Sequence, residues 1–186
     1  MIRNMFAALS LFLPLLVLPA LANAQILGAA PLIDAAERGN YDDARKAIMA
    51  GASANIRGSG EATTLIISAR IGATDVVELL LAHGAIVDLA DTEGNTALIH
   101  GALNDHDEII NALLDAGAAI NKTNKQGESA LMRAAGLGSE FAVAALLDAG
   151  ADPALTDFTG RTALDLAREN RRNRIVGVFR KAGISR

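Results

Sequence analysis

Apolar residues recur along this chain with a fixed 33-residue period. Leucine marks one position of the period, at Leu32, Leu65, Leu98, Leu131 and Leu164. Glycine marks a second position, at Gly51, Gly84, Gly117, Gly150 and Gly183. Two residue types that keep one period over five copies indicate a repeat architecture in which each unit stacks on its neighbours. The predicted units are 25–57, 58–90, 91–123, 124–156 and 157–186.

Each unit is predicted to hold two helices behind a turn. A glycine opens the turn in three units, as Gly94 shows, and a Ser or Thr follows at the position of a helix N-cap. The predicted caps are Thr63, Thr96, Ser129 and Thr162. A short alanine-rich helix comes next, then a helix with paired leucines such as Leu80-Leu81, and the recurrent glycine ends that second helix in the left-handed conformation.

The repeated unit resembles the ankyrin repeat. The resemblance rests on segments 31–40 (PLIDAAERGN), 91–98 (DTEGNTAL) and 146–152 (LLDAGAD), and it covers residues 25–186. It implies an all-α repeat solenoid of five stacked helix-turn-helix units with hairpin-like connecting loops. It also implies that the hairpin tips and the first helices form a concave groove that binds another protein.

The chain departs from the family pattern at one position of the first helix. Where the family favours histidine, this sequence has Ile33, Ile66, Ile99, Met132 and Asp165. Apolar packing is therefore expected to replace most of the usual Thr–His link between units. Unit five has Arg180 where earlier units have leucine, which fits the polar outer surface of a terminal repeat.

Helical register predicts which side chains face the groove. The candidate partner-binding residues are Arg70, Ile71, Glu93, Asn95, Leu103, Asn104, Arg133, Leu137, Phe158 and Arg161. Ile71, Leu103 and Leu137 form an apolar strip rimmed by polar groups, as a protein-binding surface requires. The alternative is that such residues pack between neighbouring first helices, and this alternative is stronger for Ile67. Phe158 is the one aromatic residue at a predicted tip and is interpreted as an anchor.

Three further aromatic residues lie outside the groove positions. Tyr41 and Phe141 stand near the starts of second helices and are expected to pack in the core or on the outer side. Phe179, in the second helix of unit five, is expected in the core.

Residues 1–24 have the pattern of a cleavable export signal. Eighteen of them are apolar, Arg3 is the only charged residue, and Ala22-Asn23-Ala24 matches a signal-peptidase site. Cleavage after Ala24 would leave a periplasmic protein that begins at Gln25 and has no stable membrane insertion. The alternative is a membrane-anchored scaffold that keeps residues 1–24.

Composition excludes several classes of site. The chain has no Cys, no Trp and three His, which leaves no disulfide, Cys–zinc site or reactive thiol. We expect no enzyme activity, metal or cofactor, because no catalytic or phosphate-binding motif is present and His100 and His106 are interpreted as surface side chains of a polar connector. An acidic net charge of −4 and predicted export argue against nucleic-acid binding.

Charge is unevenly distributed along the units. Residues 25–156 hold 8 Lys and Arg against 18 Asp and Glu, whereas residues 157–186 hold 8 against 3. The basic end could dock an acidic partner or a membrane surface, but a solvated cap that complements the acidic body is favoured. We expect a monomer that acts as an accessory factor for a periplasmic enzyme or as a toxin-neutralising protein.

Overall fold

The computed structural model describes residues 31–185, in which five pairs of helices follow one another. The first helices of the pairs are α1 (31–38), α3 (Thr64–Ile71), α5 (Ala97–Leu103), α7 (Ala130–Leu137) and α9 (Ala163–Glu169). The second helices are α2 (Tyr41–Met49), α4 (Thr74–Ala82), α6 (Asp107–Asp115), α8 (Glu140–Asp148) and α10 (Asn173–Lys181). The predicted signal segment and the start of unit one lie outside these residues.

The first helices of successive units stack on one another, and so do the second helices. Helices α3, α5, α7 and α9 contact one another in that order, and α2, α4, α6, α8 and α10 form a second series. We call the first series the inner helices and the second series the outer helices. This arrangement confirms the all-α repeat solenoid that the 33-residue period predicts.

Side-chain caps set where four of the inner helices begin. The hydroxyls of Thr63, Thr96 and Ser129 accept the backbone N–H three residues on, at 3.2, 3.3 and 3.4 Å. In unit five Thr162 and Asp165 form a reciprocal capping box. The hydrogen bonds from the Thr162 hydroxyl and backbone N–H lower the pKa of Asp165 below its ordinary value. All four predicted caps are confirmed.

Apolar packing fills the position that histidine occupies in the family pattern. Ile66, Ile99 and Met132 are each 1% exposed, and Ile33 is half-buried against the core. Asp165 is the exception, because its carboxylate serves the capping box instead. Ile67 is also buried and Phe179 is fully buried, so the packing interpretation is correct for both.

The loops that follow the outer helices are joined by side chains that cross from one unit to the next. Asn55 accepts the backbone N–H of Ile86 at 2.7 Å, and Asp88 and Asn121 make the equivalent bonds to Ala119 and Asp152. These acceptors occupy the same position in three successive units. Ala154 occupies the next position in the series and has no side-chain acceptor, so the series ends in unit four.

Hairpin-like loops precede the inner helices of units two, three and four. Single antiparallel bridges join Arg57 to Thr63, Ala90 to Thr96 and Thr123 to Ser129. Neighbouring tips are joined by backbone bonds in which Thr92, Lys125 and Phe158 donate to Gly60, Glu93 and Gln126 at 3.0, 3.0 and 3.2 Å. The tips therefore form a continuous hydrogen-bonded row beside the inner helices.

Candidate protein-binding face

The ten candidate binding residues fall into two rows on the inner side of the molecule. One row lies at the carboxyl ends of α3, α5 and α7, where these helices pack side by side. The other row consists of the tips in front of α5 and α9 together with Arg133, near the start of α7. A seven-residue helix is about 10 Å long, so the two rows are separated by roughly that distance. We call the two rows together the groove face.

Aliphatic side chains dominate the helix-end row. Ile71 and Leu137 are 42% and 50% exposed, whereas Leu103 between them is half-buried and packs against the core. The apolar surface of the groove face therefore consists mainly of Ile71 and Leu137. Arg70 is exposed beside Ile71 and makes no side-chain hydrogen bond within residues 31–185. The side-chain amide of Asn104 donates to the backbone carbonyl of His100 at 2.9 Å. Asn104 is therefore bound to the end of its own helix.

Phe158 is the most exposed large apolar side chain of the described residues. It is 79% exposed, yet its ring lies on the neighbouring tip, where a Cβ added to Gly127 would come within 2.7 Å of it. Gly127 has φ +79°, so the left-handed turn and the close approach of the ring both require glycine at this position. The ring is thereby held in place with its other face toward solvent. Glu93 is the other exposed tip residue among the candidates.

Three polar candidates are held by neighbouring side chains. Asn95 accepts the amide of Asn124 at 3.0 Å and so joins two tips. Arg133 donates to Glu128 at 3.1 Å. Arg161 donates to Asp157 at 2.9 Å and reaches Glu169 at 3.4 Å. These three groups already have hydrogen-bond partners. They therefore contribute a fixed shape and fixed charges to the groove face, and they do not serve mainly as unpaired donors for a partner protein.

The tips of units three, four and five share an anchor that the sequence analysis missed. In unit three, Asp91 accepts the backbone N–H groups of Glu93 and Asn95, both at 2.9 Å. Asn124 and Asp157 accept the equivalent pairs in units four and five. The signal for these anchors was available, since an Asp or Asn recurs at this position of every unit from unit three onward.

His100 is part of the unit-three tip and is not the exposed connector residue expected from sequence. Its Nε2 lies 2.8 Å from Asp91 Oδ2, and the two side chains are only 13% and 12% exposed. A carboxylate can only accept, so Nε2 carries the shared proton. Burial raises the pKa of Asp91, but hydrogen bonds from His100 and from the backbone of Asn95 outweigh it and leave that pKa below its ordinary value.

Asp157 is the most strongly held carboxylate of the face. Its side chain is 2% exposed, and it accepts from the Thr159 hydroxyl at 2.6 Å and from Arg161. Burial raises the pKa of Asp157, but these hydrogen bonds outweigh burial and hold the pKa well below its ordinary range. The charge of Arg161 is therefore largely compensated inside unit five.

Two of the aromatic residues differ from the expectation of packing. Tyr41 and Phe141 do lie on outer helices, but they are 41% and 66% exposed.

Within residues 31–185, no helix combines the length and apolar character needed to span a membrane. Across that same range, no three His, Cys, Asp or Glu side chains gather into a group that could hold a metal ion.

A comparison with protein-family models identifies the family of this chain. A family model described as ankyrin repeats (3 copies) matches residues 32–124 and again 103–185. No curated protein matches the chain. Ankyrin repeats are protein–protein interaction modules and are typically non-enzymatic, which agrees with the kind of site that the groove face presents. The two matches together cover most of the sequence, and the chain therefore belongs to the ankyrin-repeat family.

Proposed function

We propose that this protein is exported to the periplasm and binds a partner protein there through its groove face. The partner is either an enzyme that the protein supports or a toxin that it neutralises. Export rests on the signal pattern of residues 1–24 and the Ala22-Asn23-Ala24 site. The protein acts by binding alone and exists as a monomer at the low concentrations of a cell.

One observation carries the binding proposal, namely the exposure of Ile71 and Leu137. The inner helices bury most of their other large aliphatic side chains almost completely, as Ile66, Leu98 and Leu131 show at 1–2% exposed. Two aliphatic side chains of the same series at 42% and 50% exposed therefore depart from the local pattern. A fully buried Leu or Ile contributes about 1.5–3 kcal/mol relative to an exposed one, so a partner that covers both gains a substantial stabilisation.

The held polar groups support the same proposal. Arg133 and Arg161 are fixed by Glu128 and Asp157, and the tips are joined to one another by backbone bonds. A surface whose polar groups are already ordered loses little conformational entropy when a partner binds. Phe158 adds an aromatic side chain held against Gly127, which is a residue type that commonly dominates binding free energy.

Capture from a periplasmic extract tests the proposal. The bait is the full mature protein, compared with Ile71→Arg/Leu137→Arg and with the control Ile86→Arg, which alters a 56% exposed isoleucine away from the groove face. Leu103 is left unchanged because it packs against the core. We expect a partner that binds the wild type and the control but is lost with the double variant. A partner that all three proteins retain would contradict the groove assignment.

The membrane-anchored alternative is separated by the mass of the mature chain. Cleavage after Ala24 gives an N-terminus at Gln25, and mass spectrometry of the exported protein detects it directly. A mass that includes residues 1–24 would show that the protein is a membrane-anchored scaffold. The assignment of the groove face would stay the same.

A further inference from the structure

The outer helices of units three, four and five present a second exposed surface. It consists of three equivalent positions in each helix, spaced so that they share one side. The positions are Glu108, Asn111 and Asp115 in α6, Phe141, Ala144 and Asp148 in α8, and Arg174, Gly177 and Lys181 in α10. All nine residues are exposed or half-buried. We call this surface the outer face.

Charge changes sign across the outer face. Helix α6 contributes the carboxylates of Glu108 and Asp115, and α10 contributes the cations of Arg174 and Lys181. Phe141 in α8 lies between them with 66% of its surface exposed. The same order holds for the whole chain, because the acidic excess of residues 25–156 gives way to a basic excess in residues 157–186.

Small residues leave room for an incoming side chain beside Phe141. An open depression of about 480 Å³ lies between α6 and α8 and is lined by Asn111, Phe141 and Ala144, among others. A second depression lies between α8 and α10, beside Ala144, Val178 and Lys181. The exposed aromatic ring therefore lines the first of two neighbouring shallow depressions on the outer face.

We infer that the outer face binds a second copy of this chain. A two-fold axis parallel to α8, lying in the interface, places unit four against itself and unit five against unit three. Phe141 then packs against Phe141 of the partner subunit. Arg174 faces Glu108 of the partner subunit, and Lys181 faces Asp115 of the partner subunit. Each of these two ion pairs occurs twice, and the contact between the two Phe141 rings lies on the axis, as a two-fold interface requires.

The order of charges favours a second copy over other occupants. An anionic membrane would attract Arg174 and Lys181 but would be repelled by Glu108 and Asp115 on the same surface. A uniformly acidic protein would meet the same repulsion. The outer face turned by 180° presents the opposite order of charge, so each cation meets a carboxylate and the aromatic ring is covered.

The size of the surface predicts a weak dimer. Three nine-residue helices, each about 13 Å long and spaced about 9 Å apart, offer a few hundred Å² per subunit. Stable dimers bury about 800 Å² per subunit or more, so we expect association at tens to hundreds of micromolar. The protein is accordingly a monomer at low micromolar concentration and self-associates when concentrated.

Sedimentation velocity of the mature protein from about 5 to 500 µM tests this inference, over a range chosen for a weak interface. We expect a concentration-dependent shift toward the dimer, and at least a tenfold weaker association for Phe141→Ala. Phe158→Ala is the matched control, because it removes an exposed aromatic residue from the tips, and its association should equal that of the wild type. A wild type that stays monomeric throughout, or an equal effect of the two substitutions, would overturn the inference.

A charge exchange tests the paired arrangement itself. The acidic variant is Arg174→Glu/Lys181→Glu and the basic variant is Glu108→Lys/Asp115→Lys. Each variant alone should fail to associate, because like charges then face each other across the axis. An equimolar mixture should form the heterodimer, because every pair is again of opposite charge. Circular dichroism confirms that both variants are folded, and a mixture that stays monomeric would contradict the arrangement.

One contact between like charges allows a substitution that should strengthen the dimer. The axis along α8 brings Asp148 near Asp148 of the partner subunit. Asp148→Asn removes that repulsion and should tighten the dimer about two- to fivefold, as sedimentation would show. Weaker or unchanged association of Asp148→Asn would argue against this axis.

Discussion

The tip of unit two and the tips of units three to five form the same turn but are stabilised by different contacts. Units three to five place Asp91, Asn124 and Asp157 under the turn as anchors, and each turn contains a glycine with φ near +80°. Unit two has Gly58 at the anchor position, which offers no side-chain acceptor. It also places Glu61 in the left-handed region, with φ +58°, where the later units have glycine.

This comparison shows which part of the groove face is rigid. The tips that contribute Glu93, Asn95, Phe158 and Arg161 are fixed by buried side-chain hydrogen bonds. The unit-two tip depends on backbone bonds and on Arg57, which donates to the carbonyls of Glu61 and Ala90 and forms an ion pair with Glu61 across 3.6 Å, with the two side chains 33% and 66% exposed. Exposed pairs of this kind contribute little, so the unit-two tip is held less firmly than the others.

Removal of the unit-five anchor should have the largest effect. Asp157→Ala leaves the backbone N–H groups of Thr159 and Arg161 without their acceptor and releases the Arg161 side chain. We expect the free energy of unfolding to fall by about 2 kcal/mol, because hydrogen bonds to a charged, buried group are lost. Asp157→Asn is the matched control, since Asn124 performs the same role in unit four, and it should cost less. Urea denaturation at pH 7 measures both, and equal losses would show that a neutral acceptor cannot replace the carboxylate at this position.

The same residue gives a pH prediction. The pKa of Asp157 is lower in the folded protein than in the unfolded chain, so its ionised form stabilises the fold. That contribution is complete above the unfolded pKa of about 3.9 and is lost as the pH falls below it toward the folded pKa. Wild type should therefore lose stability more steeply below about pH 4 than Asp157→Asn does. Thermal unfolding across this range measures the slopes, and parallel curves would contradict the assignment.

Unit two can be given the pattern of unit three. Gly58→Asp combined with Glu61→Gly supplies an anchor and removes a non-glycine residue from the left-handed region. A Cβ at Gly58 would meet Ile67 and Ile33 at 3.4 and 3.5 Å, which is ordinary contact. We expect a gain of about 1 kcal/mol, because a left-handed non-glycine residue costs about that much. Urea denaturation of the double variant and of Glu61→Gly separates the two parts, and no gain from either would contradict the comparison.

The smallest loss of stability is expected from a substitution of His100, which lies beside the unit-three tip. His100→Ala removes the hydrogen bond to Asp91 but leaves the two backbone bonds to that carboxylate intact. We expect a loss of about 0.5–1 kcal/mol, in the range of one ordinary hydrogen bond. The midpoint of urea unfolding reports it. A loss as large as that of Asp157→Ala would mean that His100, and not the backbone anchor, holds this tip.

Periodicity predicted the fold well because the determinants of the solenoid are local and repeated. The leucine position, the Thr and Ser caps and the apolar replacement of histidine each follow from one unit and recur in the next. Exposure within one helix face was harder to predict. Ile67 and Ile71 lie one helical turn apart, yet one is buried and the other is exposed. The difference depends on how the neighbouring inner helix covers each side chain.

Contacts between units and hydrogen bonds within the tips were the main features that the sequence did not predict. The bonds from Asn55, Asp88 and Asn121 to the next loop, and the tip anchors, join residues that local helix patterns do not relate. They recur with the period of the repeat, so a comparison of polar positions across units would have found them. The exposure of Phe141 had no such signal, because only unit four has an aromatic residue at that position.

A binding titration between the purified partner and the groove variants shows whether the groove face is the surface that binds the partner. Isothermal calorimetry would compare wild type, Ile71→Arg/Leu137→Arg and the control Ile86→Arg against the protein captured from the periplasm. We expect the double variant to bind at least tenfold more weakly, about 1.4 kcal/mol or more, and the control to bind as the wild type does. Equal affinity for all three proteins would contradict the claim that the groove face binds the partner.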